Sequence, residues 1–358
     1  MNRTDSQDVE LEAKVRFLAS PGSYPEGTGR VEPVETHMSW IFLTDRHAYK
    51  LKKPVRYAYL DFTTLAARKT FCEAEVRLNR RLAPTVYLGT VPLTCERAGA
   101  LALGGEGGPV DWLVRMRRLS AEATLERRIE AGSLRNEEFA AVAERLAQFY
   151  RSLERVPLSP FGYLGRFGGE IARSFGELSR PEYGLDQAQL VTLRERQLAA
   201  LETLQPRLEE RASRVVEGHG DLRAEHVWIE DPPVIIDCLE FDRELRLVDP
   251  LDDLGFLALE CARLGRPDLQ SPLLAAYARA TPDRIDTDLL RFYQSVRAAL
   301  RARLAIQHLR EARFLVSDHW REHARTWVDL ALDRTGSPGS DAVNAAHPDA
   351  GPDPGAPG

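Results

Sequence analysis

Within residues 218–242, GHGDLRAEHVWIEDPPVIIDCLEFD, two histidines and several carboxylates crowd between short apolar runs. An ordinary core segment seldom carries so many ionisable groups beside buried strands, because a buried charge is costly unless it is paired or coordinated. The runs HVWI and PVIID predict two strands joined by EDPP, whose prolines favour a turn and stop strand propagation. Asp221 stands just before this hairpin and Asp237 at its far end, so antiparallel pairing brings both carboxylates to one mouth. Together with His219 and His226 they form a set that could hold a metal for hydrolysis. The plainer reading is that the two aspartates cap turns by accepting backbone amides.

Paired carboxylates at a hairpin mouth, with a polar side chain five residues beyond the first, resemble the catalytic loop and metal-binding strand of the protein-kinase-like superfamily. The stretches HGDLRAEH and IID are most similar to those of the aminoglycoside phosphotransferase family and its bacterial small-molecule-kinase relatives. The resemblance implies an ATP-dependent transfer of the terminal phosphoryl group to a hydroxyl of a small molecule. Asp221 would orient or deprotonate that hydroxyl, His226 would stand at the metal-binding position, and Asp237 would hold Mg2+ bridging the phosphates. His219 would brace the loop. His226 departs from the Asn usual there, and an imidazole is a softer ligand than an amide oxygen, which brings Mn2+ into consideration. It could instead hydrogen-bond Asp221 and leave the metal to Asp237 and water.

The resemblance also demands a strand lysine and a helix glutamate nearer the N-terminus. In HAYKLKK (47–53), period-two alternation puts Ala48, Lys50 and Lys52 on one strand face. Lys50 matches the lysine of the family's Ala-x-Lys and Lys52 is the reserve. In the helical run 64–83, Glu75 is the matching acid and Glu73 the alternative. No G-x-G-x-x-G precedes the lysine strand; VETHMSWIF stands in its place, where Ser39 and amides near His37 could cover phosphates. DWLVRMRRL (111–119), with Met116, fits the crossover whose backbone would receive the adenine edge. Glu240 and Asp242 are candidates for the acceptor site, while Asp249 and Asp253 read as braces for loops and a helix start. Arg297 and Arg301 lie one helical turn apart and could bind an anionic substrate, although a solvated face explains them as well. His319 and His323 are similarly spaced but bring no third ligand, so no metal site is read there.

These residues need elements to position them. Strand-like runs at 39–44, 47–53, YLGTVPLT and ALAL, with the helix at 64–83, predict a small sheet carrying one helix. After Leu119 the pattern turns helical: Phe139, Val142, Leu146, Phe149 and Leu153 recur in steps of three and four. FGYLGRFGGE (161–170) reads as an irregular connection, LDQAQLVTLRERQLAALETLQ as a long helix, and more helices follow from Leu251 to about Leu332. The expected fold class is α+β, a protein-kinase-like arrangement of two lobes. Residues 1–117 would be the nucleotide-binding lobe, with about the first ten flexible, and 118–335 the helical lobe holding the catalytic loop. Residues 336–358, rich in Gly, Pro and Ala, would be a disordered tail.

Composition narrows the function classes. A chain of 358 residues that is 43% hydrophobic can bury a large core. Its formal charge of −6 argues against wholesale nucleic-acid binding. The four cysteines lack CxxC spacing, which indicates neither a disulfide framework nor a zinc cage and reads as cytoplasmic. No apolar run approaches a membrane span or a signal core. The rival reading from another class is a nucleotide-binding module without transfer, suggested by the missing glycine loop and by His226.

Overall fold

The computed structural model describes residues 9–57, 60–310 and 318–336. The expected flexible start and disordered tail lie almost wholly outside these residues. The described chain forms two compact units: one made of the residues up to Pro160 with Glu209–Asp286, the other of Phe161–Leu208 with the residues from Thr287 on.

The first unit opens with helix α1 (Leu11–Leu18) and the antiparallel strands β1 (Glu32–Glu35), β2 (Ser39–Leu43) and β3 (His47–Lys52). A two-residue pair follows, β4 (Arg56–Tyr57) with β5 (Leu60–Asp61), then helix α2 (Leu65–Asn79). Strands β6 (Tyr87–Cys95), β7 (Leu101–Leu103) and β8 (Gly108–Arg117) complete a six-stranded sheet in the order β1-β2-β3-β8-β6-β7. β3 is an interior strand, flanked by β2 and β8, so its alternation sorts side chains to two buried faces. Tyr49 and Leu51 join Leu18, Phe42 and Leu113 in one core, while Ala48 joins Cys72, Val76, Val114 and Met116 in the other. Cys72 and Val76 belong to α2, so the face that carries Ala48, Lys50 and Lys52 is the face that helix covers. Buried lysines on a helix-covered face must find carboxylates.

Helices α3 (Leu125–Glu130) and α4 (Asn136–Ser152) follow. The predicted apolar stripe of α4 is buried at Phe139, Val142, Leu146 and Phe149. After the second unit's helices α5 (Pro160–Leu178) and α6 (Gln187–Thr203), helix α7 (Gln205–Arg211) and strand β9 (Val216–Glu217) lead to the HGD stretch. The hairpin is present but short: β10 (Val227–Trp228) pairs antiparallel with β11 (Val234–Ile235), Val227 opposite Ile235. Helix α8 (Arg243–Arg246), strand β12 (Leu247–Val248) and helices α9 (Pro250–Arg263) and α10 (Gln270–Ala280) close the first unit. Helices α11 (Thr287–Gln307) and α12 (His319–Thr335) belong to the second. No described helix is long and apolar enough to cross a membrane.

The segment 161–170 corrects the sequence reading, for it lies inside the 19-residue helix α5. Its glycines lower helix propensity by about 1 kcal/mol each. Tertiary packing outweighs them: Tyr163, Phe167, Ile171, Ser174 and Leu178 fall on one buried stripe. Phe167 stacks on Tyr293 of α11 at 5.6 Å, and the hydroxyls of Tyr163 and Tyr293 are 3.1 Å apart.

A charge cluster holds α7, α9 and the end of α10 together. Arg211, 5% exposed, donates to Asp249 at 2.5–2.6 Å and to Asp283 at 2.6–2.7 Å. Asp249 also caps α9 by accepting from the Leu251 amide. Burial would raise the Asp283 pKa, but hydrogen bonds and charge from Arg211 outweigh it and hold it below the ordinary value. Asp283→Asn should therefore cost about 3 kcal/mol at pH 7, the low end for a broken buried pair because Asp249 remains. A depressed carboxylate pKa stabilises the fold above the unfolded value, near 3.9, and loses that contribution as pH falls through the folded value. Melting curves should show the variant's deficit narrowing below about pH 4.

Candidate active site

The loop Gly218–Asp221 is shaped from beneath by α9. Asp253, fully buried, accepts from the backbone amides of His219 (2.8 Å) and Gly220 (3.1 and 3.2 Å) and from the Tyr150 hydroxyl (2.9 Å). Gly220 has φ +87°, and a Cβ there would meet the Leu245 carbonyl oxygen at 2.9 Å. At Gly218 a Cβ would meet Val248 at 2.6 Å. The glycines beside His219 are thus required by close approach and, at 220, by backbone hand. His219 Nε2 donates to the Ile236 carbonyl at 2.9 Å, tying the loop to the strand before Asp237. Burial lowers its pKa, which suits a neutral brace.

Asp221 and Asp237 meet across His226. Nδ1 of His226 is 2.8 Å from the Asp221 carbonyl oxygen, and because a carbonyl only accepts, Nδ1 carries the proton. In the neutral ring Nε2 then presents a lone pair, 3.7 Å from Asp237 Oδ2. The Asp221 carboxylate lies 3.9 Å from Nδ1. His226 therefore bonds to Asp221 through the backbone, while its other nitrogen lies 3.7 Å from both Asp237 Oδ2 and Glu225 Oε1.

Asp237 is the one described non-glycine residue with positive φ, +64°. Such a conformation is tolerated best by Asn, Asp and Gly and marks a position where the surroundings fix the backbone. Here α2 does the fixing. Asn79 Oδ1 accepts from the Cys238 amide at 2.9 Å, and Asn79 Nδ2 donates to the carbonyl of Glu75 one turn back. Arg81, just past the helix, donates to the carbonyls of Glu217 (2.6 Å) and Gly218 (2.8 Å) and contacts Cys238 Sγ at 3.2 Å. The sequence reading missed Asn79, Arg81 and the bracing role of Tyr87, whose hydroxyl accepts from the Asp237 amide at 3.4 Å. Their partners are mostly backbone groups, which residue types and spacing do not mark.

Both lysines converge on Glu75. Lys50 Nζ is 2.9 Å from Glu75 Oε1 and 3.1 Å from Asp237 Oδ1. Lys52 Nζ is 2.6 Å from Glu75 Oε2, contacts Glu240 Oε1, and lies 5.0 Å from the Phe62 ring centroid. Exposure separates them: the Lys52 side chain is 0% exposed and Lys50 15%, against 47% for Asp237. Burial works against both ammonium charges, yet Asp237, Glu75 and Glu240 outweigh it at Lys50, and Glu240 and Glu75 at Lys52, so both pKa values are raised. The Lys50 ammonium drives the Asp237 pKa well below the ordinary range against its desolvation. Glu75 is lowered because its two lysines outweigh burial. Glu240 is raised by burial and by Glu75, with Lys52 opposing. Glu73, the alternative acid, is instead an exposed partner of Lys69 at 3.8 Å.

The remaining candidates fall as follows. Met116 is 7% exposed and pairs in register with Ala48 on the Lys50 face of the sheet. Ser39 is buried opposite Lys52, and its amide donates to Thr36 Oγ1 at 3.0 Å, closing the β1–β2 turn. Asp242 caps α8 by accepting from the Glu244 amide at 2.8 Å. Arg297 and Arg301 are half-buried on α11 of the second unit, not on a solvated face. Asp249 and Asp253 are the braces read from sequence.

The model of the phosphotransferase enzyme family designated APH matches residues 66–293, a stretch holding Glu75, Asp221, His226, Asp237 and Glu240. An uncharacterised protein of Mycobacterium tuberculosis is 33% identical over 285 residues, 75% of this chain and 53% of that protein. The chain spans about half the length of the curated relatives it matches. Among solved structures, a choline/ethanolamine kinase family protein from Mesorhizobium loti is 16% identical, covering 91% of this chain and 95% of that one, with a TM-score of 0.54. The GDP and kanamycin complex of APH(2")-IIia is 14% identical, covering 90% and 99%, also at 0.54. The fold is thus the protein-kinase-like α+β fold of these neighbours, and the chain belongs to the phosphotransferase enzyme family.

Proposed function

We propose that the chain transfers the γ-phosphoryl group of ATP to a hydroxyl of a small molecule. The observation that carries this is the convergence of Lys50 on both Glu75 and Asp237, with Asp221 across His226 from the same aspartate. A lysine positioned by a helix glutamate, an aspartate for metal and a second aspartate for the acceptor are the parts phosphoryl transfer needs.

The residues fit a divalent cation: Asp237 offers a half-exposed, firmly ionised carboxylate, and Nε2 of His226 faces it with a lone pair. Mg2+ or Mn2+ bound there would neutralise phosphate charge. Lys50 is the ammonium that can turn from Asp237 to a phosphate oxygen while Glu75 keeps its place. Asp221, 27% exposed, would orient the acceptor hydroxyl and accept its proton. Met116, beside Ala48, would line the adenine site, with the β1–β2 turn at Ser39 above the phosphates. Catalysis is then alignment and electrostatics, without a covalent enzyme intermediate. The nucleotide of the APH(2")-IIia complex and the kinase name of the Mesorhizobium protein support this reading.

The acceptor is a hydroxyl-bearing metabolite. ADP formation against a panel of sugars, amino alcohols and hydroxy amino acids should show acceptor-dependent turnover. Asp221→Asn should cut it by about 10^2–10^4-fold while leaving ATP binding unchanged. Equal turnover by both proteins would remove Asp221 from its role, and ATP bound but never consumed would favour a nucleotide-binding module.

A further inference from the structure

Outside the site, a cleft of about 380 Å3 opens between the residues that end α2 and the exposed side of α4, lined by Arg81, Leu82, Arg145, Gln148, Phe149 and Ser152. Two guanidinium groups share it, and among the described residues neither makes an ion pair. Three other arginines of the unit are met by carboxylates: Arg68 pairs with Asp111 at 2.7 Å, Arg246 with Glu217 at 2.8 Å, and Arg211 with two aspartates. Arg81 uses its N–H groups on the carbonyls of Leu78, Glu217 and Gly218 and lies 5.2 Å from the Phe149 ring centroid, so its charge is fixed in place without a described carboxylate in contact. Arg145 is less engaged. Its Nε is buried without a hydrogen-bond partner, and its Nη2 reaches only the Leu82 carbonyl, at 3.5 Å.

We propose that this cleft binds a small phosphate-type anion, with Arg145 as its main hydrogen-bond ligand and Arg81 supplying charge from the wall. An anion in the cleft would satisfy the orphaned Arg145 donor while two cationic side chains line the walls. A guanidinium matches phosphate oxygens with two parallel N–H groups, and Gln148 and Ser152 add polar groups at the rim. Because Arg81 also grips Glu217 and Gly218 and touches Cys238, an occupant here contacts the residue that holds both ends of the candidate site. The inference does not depend on the proposed reaction.

The test is thermal melting of the full chain in inorganic phosphate against chloride at equal ionic strength, with wild type, Arg145→Gln, Arg145→Lys and Lys50→Met. Phosphate should raise the melting temperature of the wild type and of Lys50→Met. Its apparent affinity should fall by about tenfold or more in Arg145→Gln, with Arg145→Lys intermediate, which also guards against a folding defect. Glycerol phosphate run in parallel distinguishes a monoester ligand from free phosphate by which of them binds more tightly. A phosphate effect that survives in Arg145→Gln, or that disappears in Lys50→Met, overturns the proposal.

Discussion

Asp237→Asn is expected to lower metal-dependent ATP turnover by about 10^3-fold with little loss of stability. Asp237 has two separable jobs, one of its backbone and one of its charge. Its backbone adopts a left-handed conformation, which asparagine tolerates as well as aspartate does, so the turn should survive. Its amide bond to Tyr87 and the neighbouring Cys238 bond to Asn79 involve only the backbone of the 237–238 segment. What the substitution removes is the charge, and with it the firm anion opposite Lys50 and Nε2 of His226. Lys50 keeps Glu75 as a partner. Turnover with saturating Mg2+ and Mn2+, beside a melting curve, checks this. Turnover within a few-fold of wild type would mean that Asp237 is not a metal ligand, whereas a large drop in melting temperature would mean that its charge is structural.

Lys52→Met is expected to act mainly on stability, and Lys50→Met mainly on turnover. Lys52 is fully buried between Glu75 and Glu240, so its removal leaves Glu240 buried with no cation in contact. Breaking a buried pair in this way costs about 3–5 kcal/mol, which for a domain of this size lowers the melting temperature by roughly 6–15 °C. Lys50 is partly exposed, and after its removal Glu75 still has Lys52 while Asp237 is half in solvent. Its loss should cost far less stability yet weaken ATP use at least about tenfold, since it is the ammonium able to reach a bound phosphate. Melting curves and KM for ATP on both variants decide. The reverse ranking would transfer the phosphate-binding role to Lys52.

Period-two alternation was enough to put Lys50 and Lys52 on one strand face, and helical periodicity was enough to find α2 and α4. The hairpin was legible from its prolines and apolar runs, although each strand is only two residues long. The sharing of Glu75 was not legible. The contact of Lys52 with Glu240 joins residues 188 apart in the chain, and nothing local in CLEFD indicates that this acid turns inward while Asp242 caps a helix. The same holds for Arg81 and Asn79, whose partners are backbone groups, since backbone acceptors leave no trace in residue type. In 161–170 the glycines suggested a loop, and only the packing of Tyr163 and Phe167 inside the second unit reveals why the helix persists through them.

We propose that Lys50, Glu75 and Asp237 form a site for the phosphates of a metal-bound nucleotide. Calorimetric titration of ATP, with and without Mg2+ or Mn2+, into wild type, Lys50→Met and Asp221→Asn tests it most directly. Metal-dependent binding to wild type is expected, with the same affinity in Asp221→Asn and at least about tenfold weaker binding in Lys50→Met. Metal-independent binding of equal strength in all three proteins would contradict it.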